Sequence, residues 1–224
     1  MAIINNPIVS GDGLIMCLDA ANKASYPGFG STWLSLLGSY SGTFVNNATY
    51  VTDNGGALLF DGTDDFIELN SNNIISGTNP FSIDCWYTLS SGNFGQLLGN
   101  YGDGYASNTL WFSTAGLYIN DYVTIPSYST VTQGTHHIVA TRDSSGNCII
   151  YLDGVQKATG SLTASITSSP NFRIGANTKA STPTGTGLSD ELNGKIYQLK
   201  VYNRVLTQTE VIQNYRSIRG RFLT

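Results

Sequence analysis

HHIVATRDSSGNCIIYLDGVQKATG, residues 136–160, decides the fold class. Ile138, Val139 and Ala140 form an apolar run, DSSGN at 143–147 is a turn cluster, and Cys148 to Leu152 form a second apolar run. Asp153-Gly154 follows as a favoured two-residue turn, because this pair tolerates the backbone angles that tight hairpins require. Short strands joined by such turns predict antiparallel sheet. Outward from this hairpin, FSIDCWYTL at 81–89 alternates with period two. Phe81, Ile83, Cys85 and Tyr87 share one face, and Ser82, Asp84, Trp86 and Thr88 share the other. The first set is expected in the core, with Trp86 pointing to the opposite face of its sheet.

The same punctuation runs through most of the chain. Strands are predicted at 14–20 (LIMCLDA), 57–62 (ALLFDG), 65–69 (DFIEL), 95–100 (GQLLGN) and 108–114 (NTLWFST). Others follow at 116–121 (GLYIND), 171–176 (NFRIGA) and 194–203 (GKIYQLKVYN). No linker divides them, so an all-β, two-sheet antiparallel sandwich is expected. One helix is predicted over 207–217. Thr207 and Glu210 have capping-box spacing, and Val211, Ile212, Tyr215 and Ile218 recur as an apolar stripe. The organisation is therefore an arm at 1–10, a sandwich at 11–206, and an amphipathic helix with a basic tail at 207–224.

Composition agrees with this reading. Charged residues make up 12% of the 224, and 25 glycines stand among abundant Ser, Thr, Asn and 13 Tyr. Six of the eleven basic residues and one of the fifteen acidic ones lie within 195–224. The remainder holds five basic and fourteen acidic residues, a body expected to repel phosphate, so nucleic acid is excluded as a partner. The basic end, with Arg216, Arg219 and Arg221, is expected to dock on an acidic scaffold or a second copy of the chain. No run of about 18 apolar residues exists, so no membrane insertion is expected. Cys17, Cys85 and Cys148 sit in strand-like runs without CxxC spacing, which argues for buried free thiols rather than zinc. Residues 1–16 lack the pattern of a signal peptide.

Five segments in order carry a resemblance: ALLFDGTDDFIEL, FSIDCWYTL, HHIVATRDSSGNCIIYLDGVQKATG, FRIGA and LNGKIYQLKVYNRVLTQTEVIQNY. Together they resemble the laminin-G-like jelly rolls of the concanavalin-A-like lectin/glucanase superfamily. GDGLIMCLDAANKASYPGFGSTW near the start and NRVLTQTEVIQNYRSIRGRF at the end resemble such domains in structural proteins of tailed phages. The resemblance implies a virion protein made in the host cytoplasm: a capsid decoration or fibre-associated protein whose partners are other virion proteins. Its alternative is a receptor-recognition module for host surface glycans. Two departures stand out. Tyr197 and Gln198 replace an Asp-Glu pair common in relatives, and Thr135 replaces an aromatic.

Candidate sites follow from residue type. Glycan contact is expected from Trp86 and Trp111, with Tyr101, Tyr105 and Asn108 of the loop GNYGDGYASN. Asp19, Asp61, Asp64 and Asp65 offer oxygens to a structural calcium ion, and no other cofactor is expected. His136 and His137, adjacent in a strand, point to opposite faces and form no ligand pair. Hydrolysis in this superfamily uses carboxylates spaced Glu-x-Asp-x-Glu, and none of Glu68, Glu191 or Glu210 has a carboxylate two residues later. The expectation drawn is a protein without catalysis.

Overall fold

A computed structural model describes residues 10–46, 48–90, 95–100, 110–114, 116–119, 123–124, 133–167, 171–178, 188–189 and 191–222. Two eight-stranded antiparallel sheets pack face to face. At the heart of the first, Phe81–Leu89 lies between Gly134–Arg142 and Asn193–Tyr202. The hairpin read from the sequence extends this sheet through Asn147–Leu152 to the edge strand Val155–Ser161. Beyond Asn193–Tyr202, the sheet continues with Ala57–Asp61 and Thr49–Val51 along one half and with Leu14–Asp19 along the other. The second sheet runs from Val123–Thr124 through Gly116–Ile119, Leu110–Ser113, Gln96–Gly99, Arg173–Ile174, Phe66–Leu69 and Ser41–Val45 to Thr32–Leu34.

Alternation accounts for the core. Phe81, Ile83, Cys85, Tyr87 and Leu89 project between the sheets, meeting Ile138 and Ala140 from one neighbour and Ile196, Leu199 and Val201 from the other. From the second sheet, Ile67, Leu69, Leu98, Leu110 and Phe112 close the layer. The domain is thus an all-β jelly-roll sandwich with one C-terminal helix, as the sequence predicts.

The opposite face of the first sheet is also dry. Asp84 and Trp86 are buried because the helix Gln208–Arg219 and the turn Gly220–Phe222 lie across them, and Ser82 is buried where its hydroxyl bonds Arg204 and Leu206 just before the helix. The helix begins as its capping box dictates: Thr207 Oγ1 accepts the Glu210 N–H at 3.3 Å, and Glu210 Oε2 accepts the Thr207 N–H at 2.9 Å. It runs two residues beyond the predicted 217 before the chain tightens into the turn. Arg204 bonds both Glu210 oxygens, and this contact pulls the Glu210 carboxyl down to about 2.

A bulge fits the central strand to this cover. Ile196 pairs with Tyr87 and Gln198 with Trp86, leaving Tyr197 as the extra residue. Tyr197 and Gln198 therefore both face the helix side, while Ile196 and Leu199 stay in the core. Beneath the helix, Asp84 and Lys200 are fully buried, with Lys200 Nζ 3.3 Å from Asp84 Oδ1. His137 Nε2 stands 3.1 Å from the same oxygen, and Asn214 Nδ2 donates to Asp84 Oδ2 at 2.8 Å. Burial alone would raise the Asp84 carboxyl. Lys200 first, then His137 and Asn214, override it and hold the group well below the usual carboxylate range.

Candidate functional site

One edge of the sandwich carries a cleft. There the chain leaves the second sheet at Ser41–Val45 and enters the first at Thr49–Val51. Phe44 and Tyr50 project from these strands against Tyr26, whose ring lies 5.3 Å from Phe44, stacked, and 5.4 Å from Tyr50. Burial, then the neighbouring Tyr50, raises the Tyr26 phenol above its ordinary value. Its hydroxyl donates to the Gly30 carbonyl at 2.8 Å and so fixes the loop above it. In that loop Gly28 and Gly30 have φ of 97° and 89°, a region that disfavours side chains. Between them Phe29 stands 76% exposed.

The cleft measures about 440 Å³ and is lined by Tyr26, Ser31, Phe44, Asn46, Thr49 and Tyr50, with Gly28, Gly30 and Ala48. Tyr26 is buried, and the half-buried rings of Phe44 and Tyr50 beside an amide and hydroxyls suit a ligand with one apolar and one hydrogen-bonding aspect, as a sugar ring has. Asn46 takes φ of 61°, which Asn tolerates, and its Nδ2 donates to the Asp64 carbonyl at 2.6 Å.

That bond sets an acidic trio beside the cleft. Oxygens of Asp61, Asp64 and Asp65 all lie within 4.8 Å of one another. Asp61 Oδ1 accepts the Thr63 N–H at 2.8 Å, and Asp65 Oδ2 accepts the Asp61 N–H at 3.2 Å, so part of the cluster closes its own turn. Three carboxylates fall short of the six to eight oxygens that calcium takes, and loop carbonyls or water would complete a shell there. Asp19 is not among them. Its carboxylate accepts Gln198 Nε2 at 2.9 Å, Arg221 Nη1 at 3.3 Å and the Ala21 N–H at 3.0 Å.

The other sequence candidates are dispersed. Trp86 is 2% exposed, stacked against Phe222 at 4.4 Å and Tyr215 at 5.5 Å. This corrects its expected role as a sugar platform, because the C-terminal segment occupies the face a ligand would need. Trp111 lies in Leu110–Ser113, where it pairs with Gly99 and Tyr118; Tyr101, Tyr105 and Asn108 fall outside the described residues. Arg216 and Arg219 are exposed on the helix. Arg221, expected to dock elsewhere, is instead spent within the chain. It bonds the Asn54 and Gly56 carbonyls and pairs with Asp19, which ties the tail down. His136 meets Asp153 at 2.8 Å, while His137 faces Asp84, so the two do diverge. Tyr26, Phe29, Phe44, Asn46 and Tyr50 were missed by the sequence reading. The available signal was the Gly-flanked aromatic of SYPGFG.

The fold is that of a lectin-like β-sandwich. The family model for laminin-G-like domains, described as the concanavalin A-like lectin/glucanases superfamily, matches residues 61–212, and the chain belongs to this family. No curated protein matches the sequence. Among solved structures, Trypanosoma rangeli sialidase is similar with TM-score 0.65 and 18% identity, over 95% of this chain and 34% of that one. Domain 4 of an extracellular arabinanase from Geobacillus stearothermophilus, solved with arabinotriose, is similar with TM-score 0.61 and 19% identity. That match covers 90% of this chain and 98% of the domain. The receptor-binding domain of botulinum neurotoxin D is similar with TM-score 0.62 and 14% identity, over 95% and 54%. At these identities the likeness shows the fold alone, and the chain spans about a third of the sialidase's length.

The sialidases overturn one expectation. A protein without catalysis was inferred from the missing Glu-x-Asp-x-Glu pattern, yet structures with this fold include enzymes. One absent motif therefore does not decide against catalysis. Glu68, on Phe66–Leu69, is paired with Arg173 at 3.1 Å.

Proposed function

We propose that the chain is a glycan-binding virion protein of a tailed phage. It sits on the capsid or an attached fibre and presents the cleft between Phe44 and Tyr50, backed by the buried Tyr26, to sugars of the host surface. One observation carries the binding half: an open aromatic cleft with amide and hydroxyl partners, under a loop that holds Phe29 in solvent. A sugar-complexed domain among the similar structures supports it. Many copies on one particle make weak individual contacts sufficient.

The virion half is supported by the resemblance of residues 11–33 and 203–222 to phage structural proteins. Three free, buried cysteines suit assembly in a reducing host cytosol. Its partners are then other virion proteins, contacted through surfaces that leave the cleft open. Arg216 and Arg219, exposed on the helix, are basic side chains available for that contact.

Glycan-array binding by the purified chain, with Phe29→Ala and Tyr50→Ala compared, tests the first half. Each substitution is expected to weaken retention about tenfold, since stacking on an aromatic contributes roughly 1–1.5 kcal/mol. Retention unchanged in both variants would sink the cleft as the site. Antibody labelling of particles tests the second half, and a chain absent from purified virions refutes it.

A further inference from the structure

We propose that the cleft selects uncharged sugars and turns away glycans that carry sialic acid or another carboxylate. This deepens the glycan-binding reading and rests on it. The first support is sequence: no charged residue occurs from Ala24 to Thr52, the stretch that supplies every residue lining the cleft. Recognition of a carboxylate calls for a guanidinium fork, an ammonium or converging backbone N–H groups. This cleft instead offers the exposed Asn46, Ser31 and Thr49 beside the half-buried rings of Phe44 and Tyr50, with Tyr26 buried behind them.

The surroundings are unfavourable to an anion as well. Asp61 and Asp64 are exposed beside the cleft, joined to its lining through the Asn46 to Asp64 bond. Cations on the neighbouring elements are already matched by acids: Lys195 by Asp53, Arg221 by Asp19 and Arg173 by Glu68. Among the described residues, Lys23 is the remaining cation at the rim. Its Nζ lies 5.3 Å from the Tyr50 ring centroid and donates to the Pro27 carbonyl at 3.2 Å, contacts that leave its charge in place, so the rim sets one positive charge against the two negative charges of Asp61 and Asp64. A carboxylate entering the cleft would shed water for partners that do not compensate it, close to like charges. The fold is shared with sialidases, so the selectivity arises from what this chain has placed at one edge and not from the fold.

The test is an array of matched pairs, lactose with sialyllactose among them, probed with the full chain in chelator-treated buffer at low salt. Retention of neutral members, with their sialylated partners about five- to tenfold weaker, is expected from one to two like charges in a partly screened setting. Asp64→Asn alone, and Asp61→Asn with Asp64→Asn, should move the ratio toward one; Asn keeps the oxygen that accepts the Thr63 N–H. Added salt should move the ratio the same way. Preference for the sialylated member, or a ratio indifferent to both variants and to salt, overturns the inference while leaving glycan binding standing. Retention of neither class, or retention unaffected by Phe29→Ala and Tyr50→Ala together, overturns the cleft itself and this inference with it.

Discussion

Lys200→Met isolates the buried charge that seats the C-terminal helix. Lys200 Nζ lies 3.3 Å from Asp84 Oδ1, and both side chains are fully buried. At that distance and an effective dielectric of about 20, the attraction is about 5 kcal/mol. Met keeps most of the volume, and the Asn214 bond at 2.8 Å and His137 at 3.1 Å still support the carboxylate. The net loss should therefore be about 3–4 kcal/mol, near the low end for breaking a buried pair. Adding Asp84→Asn removes the stranded charge but keeps an acceptor for Asn214, so the double variant should recover to within about 1–2 kcal/mol of the native chain.

The pH dependence has a definite sign. In the native chain the Asp84 pKa is depressed, so its stabilising contribution is present above the unfolded carboxylate value of about 3.9 and is lost as pH falls through the lower folded value. In Lys200→Met the largest lowering contribution is gone while His137 and Asn214 remain, so burial should move the same group upward from its native value. Its penalty should then ease as pH falls from 7 toward 4.5, and the gap to the native chain should narrow. Urea unfolding followed by far-ultraviolet circular dichroism measures both gaps. A loss under about 1 kcal/mol at pH 7, or a gap that widens in acid, would refute the pair as the element that seats the helix.

Two further outcomes follow from the same cover. Truncation after Arg219 removes the Phe222 ring from Trp86 and the Arg221 bonds from Asn54, Gly56 and Asp19. It should cost about 2–3 kcal/mol and red-shift tryptophan emission while strand content stays; unchanged emission would show that Trp86 is not sealed by the tail. The thiols should be unreactive in the folded chain, because burial pushes Cys17 up to about 11, Cys148 up to about 12 and Cys85 well above its ordinary value. Ellman's reagent at pH 8 should therefore detect the three thiols only at the rate of unfolding, and modification faster than unfolding would contradict the packing.

What could be read from the sequence was whatever depends on neighbours along the chain. Alternation at 81–89 and the turns at 143–147 and 153–154 place side chains on faces and strands in register, and the Thr207–Glu210 box starts the helix where it is observed. The run GKIYQLKV misleads, because regular alternation puts Tyr197 and Gln198 on opposite faces. The bulge at Tyr197 turns both toward the helix. Nor did an apolar pattern announce Thr32–Leu34, Ser41–Val45 and Thr49–Val51, which are short and rich in Ser, Gly and Thr. The cleft forms between those strands and a loop from 26 to 30, so its aromatic contacts are tertiary. Trp86 was misread for the converse reason: a large ring on the non-core face is exposed only if nothing covers that face, and the covering residues lie more than a hundred positions away.

The cover also decides where recognition is available on this domain. A jelly roll has two broad sheet faces, and here the inner faces make the core while Trp86, Tyr197 and Asp84 of one outer face are closed by the helix. Deleting residues 216–224 to test docking would strip that closure as well, so loss of binding after such a deletion would not identify a docking tail. Reversing Arg216 and Arg219 to Glu leaves Phe222 and Arg221 in place and is the cleaner perturbation. Both guanidiniums are exposed, although Arg219 also lies 5.4 Å from the Tyr215 ring. None of the residues lining the edge cleft belongs to the helix, although Arg221 beyond it bonds the Gly56 carbonyl close to Tyr50. A virion contact through the helix and sugar contact through the cleft can therefore coexist in one copy. If Arg216→Glu with Arg219→Glu abolished particle association but left glycan retention intact, the two surfaces would be independent. Loss of both in a chain of unchanged stability would show that they are one.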